Sequence, residues 1–147
     1  MNDVCCLTIP ADHVAGVTET LVGLYGAHAE ALGAAALDFL EGGEELADLE
    51  RARGELRAIE NALADVGWPR APQGGAVELV GPAAILREVI RAALLDAADG
   101  VVETVGRYEA GREELFAVRL AVEAVPALFE VFAGCEGARN APCALGG

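Results

Sequence analysis

The chain has 147 residues, enough for one domain that removes roughly two thirds of its unfolded surface from water. Apolar residues make up 54% of it and the net charge is −14. That composition argues against disorder, and so acidic a surface repels phosphate backbones and anionic lipid, so neither nucleic acid nor a membrane is expected as a partner.

All ten basic residues are arginine, which with the abundant Ala and Gly points to a GC-rich bacterial genome. The first of them is Arg51, so residues 1–50 carry acids and no base. The first residues lack the positive region of a signal peptide, and Glu19, Glu30 and Asp38 interrupt the most apolar helical stretch. The expected location is therefore the cytoplasm, where the four cysteines stay reduced.

Residues 4–9 (VCCLTI) are short, apolar and β-branched, which predicts a strand. Thr8 is the candidate N-cap, with Pro10 in the first turn and Asp12 as a capping acid. Val14, Val17, Leu21, Leu24, His28, Ala31 and Ala35 then form a helical seam, ended by Gly42 and Gly43. A second helix begins near Glu44, with Leu49, Ala52, Leu56, Ile59, Leu63 and Val66 inward, and stops at Gly67. Residues 68–75 read as a loop.

The pattern then restarts. Residues 76–80 (AVELV) predict a second strand, and Gly81-Pro82 opens a third helix with Leu86, Ile90, Ala93, Ala97, Val101 and Tyr108 inward. A break falls near residues 109–112. The fourth helix carries Leu115, Val118, Val122, Val125, Phe129 and Phe132 as its seam, with Pro126 set to kink or divide it. Leu7, Pro10, Ala11 and Val17 recur 72 residues later as Leu79, Pro82, Ala83 and Val89. Glu45, Leu46, Ala52 and Ala58 recur 69 residues later as Glu114, Leu115, Ala121 and Ala127, which puts the change of offset in the helix–helix connection.

The expected fold is mainly α: an antiparallel four-helix bundle built from two strand–helix–helix repeats, with a small two-stranded β ribbon at one end. Residues 1–147 form a single domain, with repeat 1 at about 4–67, the loop at 68–75, repeat 2 at about 76–134 and a C-terminal tail at 135–147.

No motif carries a named chemistry. Neither histidine has a Glu three residues before it, which argues against a di-iron bundle. Gly-x-Gly-x-x-Gly and the Walker lysine loop are absent, and no cofactor is expected. The candidate polar site is an inter-helix pocket near Tyr25 and His28, with Glu30 and Tyr108 as further contributors. No orienting acid for His28 is visible in sequence, so no catalytic residue is assigned and the balance leans away from an enzyme. Cys5, Cys6, Cys135 and Cys143 form a weak metal or redox alternative, because the Cys-x-x-Cys spacing is missing. Asp96, Asp99 and Glu103 share one helix face and read as solvated acids.

The first and fourth helices are poor in charge on their second faces as well as their seams. Gly23 lies among small residues on the first helix, and Leu120, Ala124, Leu128 and Val131 make a second apolar set on the fourth. These five residues are the expected dimer interface. The reading is a helical interaction, scaffold or regulatory protein acting through homodimerisation, with the ribbon able to extend a shared sheet and another protein as a further possible partner. The alternative is a small-molecule binder or enzyme using the Tyr25–His28 pocket. An acidic decoy of nucleic acid is disfavoured, since residues 14–36 supply only Glu19 and Glu30.

Overall fold

The computed structural model describes residues 4–71 and 74–138, with side chains described as far as residue 131. The chain is mainly helical, with four helices and one two-stranded antiparallel sheet. Strand β1 (Val4–Ile9) leads through a 3-10 turn, Ala11–His13, into α1 (Val14–Leu40). Helix α2 (Leu46–Asp65) folds back on α1. Strand β2 (Val77–Pro82) runs directly into α3 (Ala83–Glu109), and α4 (Leu115–Ala138) folds back on α3.

Local signals account for most of these boundaries. Helix α1 ends where Gly42 takes φ +84°, with Gly43 N–H bonded to Asp38 O at 2.7 Å. Helix α3 ends in the same way at Gly111, φ +75°, with Arg112 N–H bonded to Arg107 O at 2.8 Å. Only glycine enters this left-handed conformation without a side-chain penalty. The strand alternation is as expected: Cys5, Leu7 and Ile9 are buried while Val4 and Thr8 are exposed.

Four local expectations differ. Thr8 stays in the strand and caps nothing, and neither the 3-10 turn nor α1 has a side-chain N-cap hydrogen bond, while Asp12 stands as the acid in the first turn. β2 extends through Gly81 and Pro82 rather than stopping at Val80. Helix α4 passes Pro126 and Gly134 and reaches Ala138, so residues 135–138 are helical rather than tail. A proline costs one intrahelical bond and a steric clash, yet the helix, packed against α3 and β1, runs on through it.

The strands pair with Leu7 opposite Leu79. Helix α2 packs on β2 and α4 on β1, so the ribbon separates them. Val80 N–H donates to Asp65 Oδ2 at 3.2 Å, which takes up a backbone donor on the α2 side of β2. A sheet shared with a second chain would have to displace these flanking helices. Beneath the ribbon, α1 and α3 cross. His28 meets Glu88 and Thr20 meets Asp96, so the two helices run antiparallel. The turns at 41–45 and 110–114 therefore lie toward opposite ends of the crossing.

The core sits at the crossing and under the ribbon. Val14, Val17, Leu21, Ile59, Leu63, Leu79, Leu86, Val89, Ile90, Leu128 and Val131 are buried there. The expected inward face of α4 is met only in part, at the half-buried Val118 and Val125. Leu128 and Val131 enter the core, whereas Leu115, Val122 and Phe129 are exposed. Tyr108 on α3 is likewise exposed, and Thr104, one turn earlier, is buried.

Candidate functional site

Two polar clusters lie where the helices cross. In the first, His28 projects from α1 between α2 and α3. Its Nε2–H donates to Glu88 Oε1 of α3 at 2.8 Å, and its Nδ1 lies 3.6 Å from Glu55 Oε2 of α2. The ring is 17% exposed and each carboxylate about 40%. One turn before it, Tyr25 Oη donates to Glu60 Oε1 of α2 at 3.0 Å. Glu60 holds the Tyr25 phenol above its ordinary pKa, first by accepting that hydrogen bond, then through its charge, with a smaller push from desolvation. Tyr25 and His28 share a face because they are three residues apart on one helix.

The orienting acid missing from the sequence is thus supplied across the fold, by Glu88 and by Glu55. Their separations from His28 in the chain are 60 residues for Glu88 and about half that for Glu55, beyond any periodicity signal. The arrangement nevertheless leaves neither ring nitrogen open, since each faces a carboxylate. A general base needs one nitrogen free to reach its substrate.

The other candidate residues are not brought to this point. Glu30 is exposed on the outer side of α1. Tyr108 is exposed near the far end of α3, away from Tyr25 because α1 and α3 are antiparallel. Gly23 is exposed, and a Cβ added there would meet nothing within 4 Å. Leu120 is exposed and Ala124 half-buried. Leu128 and Val131 are committed to the core of their own chain, so they do not belong to an open face.

The second cluster is one sequence reasoning missed. A cavity of about 330 Å³ opens between α1, α3 and α4. Val17, Ala93, Ala97 and Leu128 supply apolar walls, while His13, Glu19, Thr20 and Asp96 supply the polar groups. Thr20 Oγ1 lies 3.0 Å from Asp96 Oδ2 and 3.1 Å from Gly16 O, so its single proton serves one of two acceptors. Asp96, exposed like Asp99 and Glu103, thus competes with a backbone carbonyl for this donor.

Among the described residues no three His, Cys, Asp or Glu side chains are placed to hold a metal. Cys5 is buried on the ribbon's inner face and Cys6 is half-buried and disulfide-bonded, which corrects the expectation of reduced thiols at that position. The Cys135 side chain and Cys143 lie outside the described residues. No described helix is long and apolar enough to cross a membrane. No family model, curated protein or solved structure matches the chain.

Proposed function

We propose that the protein works by association, as a homodimer whose second copy covers the helix ends left open by the fold. One observation carries this reading: both hairpins leave large apolar side chains exposed toward the ends away from the ribbon. On the first hairpin Leu37, Leu40 and Leu46 are exposed, Leu40 at 79%. On the second, Leu95, Val102, Leu115, Phe116, Leu120 and Val122 are exposed, Val102 at 72% and Phe116 at 67%. A half-exposed large side chain still offers about 100 Å². The six on the second hairpin therefore offer about 600 Å², the lower end of what a standard stable interface buries per partner.

Charge permits a second copy along the middle of α1 and along α4. Two chains of net charge −14 repel unless their contact avoids acids. Between residues 115 and 131, α4 carries only Arg119, Glu123 and Glu130, and α1 carries only Glu30 between residues 20 and 37. The glycines point the same way. Gly16, Gly23, Gly26 and Gly33 each cost helix stability of about 1 kcal/mol relative to alanine, and none has an intrachain neighbour that a Cβ would strike.

The duplicated unit and the bundle belong to the same reading. Helices α1 and α3 are both 27 residues long, and the turns after them both hinge on a left-handed glycine. The buried residues Val14, Val17, Thr20 and Leu21 correspond to Ala83, Leu86, Val89 and Ile90, each buried and each 69 positions on. Ile59 and Ala62 correspond in the same way to Leu128 and Val131. The three extra residues of the first copy then fall in the turn Ala11–His13, not in the helix–helix connection. A second copy laid along the open faces would complete a multi-helix bundle.

Light scattering on a size-exclusion column tests the proposal. Twice the 15.1 kDa chain mass is expected at micromolar concentration, and a clean monomer overturns it. Phe116→Glu is expected to yield a folded monomer, with helical circular dichroism retained.

A second reading, a small-molecule binder, is favoured only by the cavity beside Asp96 and not by Tyr25 and His28, whose polar atoms are already engaged within the chain. Ligand-induced thermal shifts abolished by Asp96→Asn would support it; shifts that survive that substitution would remove the cavity from consideration.

A further inference from the structure

We propose that His28 is a proton-dependent latch between the two hairpins. It lies against a carboxylate from each: Glu55 on α2 of the first hairpin, and Glu88 on α3 of the second. Helices α2 and α3 meet sparingly by themselves, so His28 supplies a polar link between them.

The chemistry of the ring sets the direction. A neutral imidazole has one N–H, and at 2.8 Å the Nε2 side donates it to Glu88. Nδ1 then turns a lone pair toward the Glu55 carboxylate at 3.6 Å, an acceptor facing an anion. Protonation replaces that lone pair with a second N–H. The imidazolium then donates to both carboxylates and offsets the repulsion between them, and charge-assisted bonds of this kind are about twice as strong as neutral ones. Histidine is the side chain that gains this proton just below neutral pH.

Other charged groups stand near the ring on each element packed against it. From α2, the charged groups at this level are Glu55 itself and Arg51, whose guanidinium is held by Asp48. From α3 they are Glu88 and its sequence neighbours Arg87 and Arg91, the latter exposed. On α1, Tyr25 is occupied by Glu60. The link is complete while the ring is protonated and both glutamates are ionised, and half-made once the ring gives up its proton.

The latch does not depend on the dimer. Its test is run at one fixed protein concentration, on the full chain, alongside light scattering. Thermal unfolding at pH 5.5 and pH 8.0 is compared for the natural chain and His28→Gln, which retains one donor and cannot take up a proton. All variants gain stability on acidification as the net negative charge falls, so the readout is the difference between them. The natural chain is expected to gain about 3 °C more than His28→Gln on moving to pH 5.5. Parallel profiles overturn the proposal. Glu55→Gln is a second variant, expected to lose most of the extra gain because its partner bond exists only with the protonated ring; an undiminished gain would overturn the role of Glu55. Ring ¹⁵N spectra of the natural chain supply a reading free of substitution. A ring carrying its proton on Nε2 at pH 8.0 and on both nitrogens at pH 5.5 is expected, and a ring protonated on Nδ1 at pH 8.0 overturns the assignment.

Discussion

Helix α1 contains two regions of almost the same composition with opposite fates. Its first two turns bury Val14, Val17 and Leu21, whereas its last turns leave Leu37 and Leu40 in water. Helix α3 repeats the contrast, with Leu86 and Ile90 buried near its start and Val102 exposed near its end. In both cases the buried half is the one at the α1–α3 crossing and under the ribbon. Hydropathy does not separate the halves. What separates them is whether two other elements arrive on the same side, since one helix neighbour alone covers only a stripe. The exposed ends are therefore the place where a partner gains most.

The contrast can be broken by substitution. Leu21→Ala is expected to cost about 3 kcal/mol in chemical denaturation, because Leu21 is fully buried and the cavity cannot refill. Its effect should not depend on protein concentration. Leu40→Ala should weaken the protein only where the dimer is populated, and the loss should vanish on dilution to within about 0.5 kcal/mol. Equal, concentration-independent costs at the two sites would show that the exposed half carries no association energy.

Gly23→Ala gives a smaller and more pointed effect. The added methyl meets nothing within the chain, so the isolated monomer should gain about 1 kcal/mol of helix stability. If a second copy approaches that glycine, the same substitution weakens the dimer. A gain at every concentration would move the interface away from α1.

At the crossing itself, the smallest expected effect is spectroscopic. The Tyr25 phenol, raised by Glu60, should ionise at lower pH in Glu60→Gln, read by ultraviolet titration in a Tyr108→Phe background. The linked stability has a definite sign. A phenol whose folded pKa is raised contributes in full below its ordinary value near 10, and loses that contribution as pH rises through the folded value. An unchanged titration would show that the Tyr25–Glu60 bond does not persist in solution.

Much of the chain's local order follows from its residues read in line. The alternation of Cys5, Leu7 and Ile9, the glycines closing α1 and the seam of Ile59, Leu63 and Val66 on α2 all rest on neighbours within four positions. So does the return of a strand and two helices in the second half. The tertiary structure alone decided the rest. Helix α4 is apolar nearly all round, so no period could choose between the Leu115–Val122–Phe129 face and the Leu128–Val131 face; the choice was made by β1 and α3 packing against it. His28 could be placed on a helix face from sequence, but Glu55 and Glu88 reach it from two other helices. Periodicity reports which way a side chain points from its own backbone. It carries no record of what the crossing of two distant helices brings to meet it.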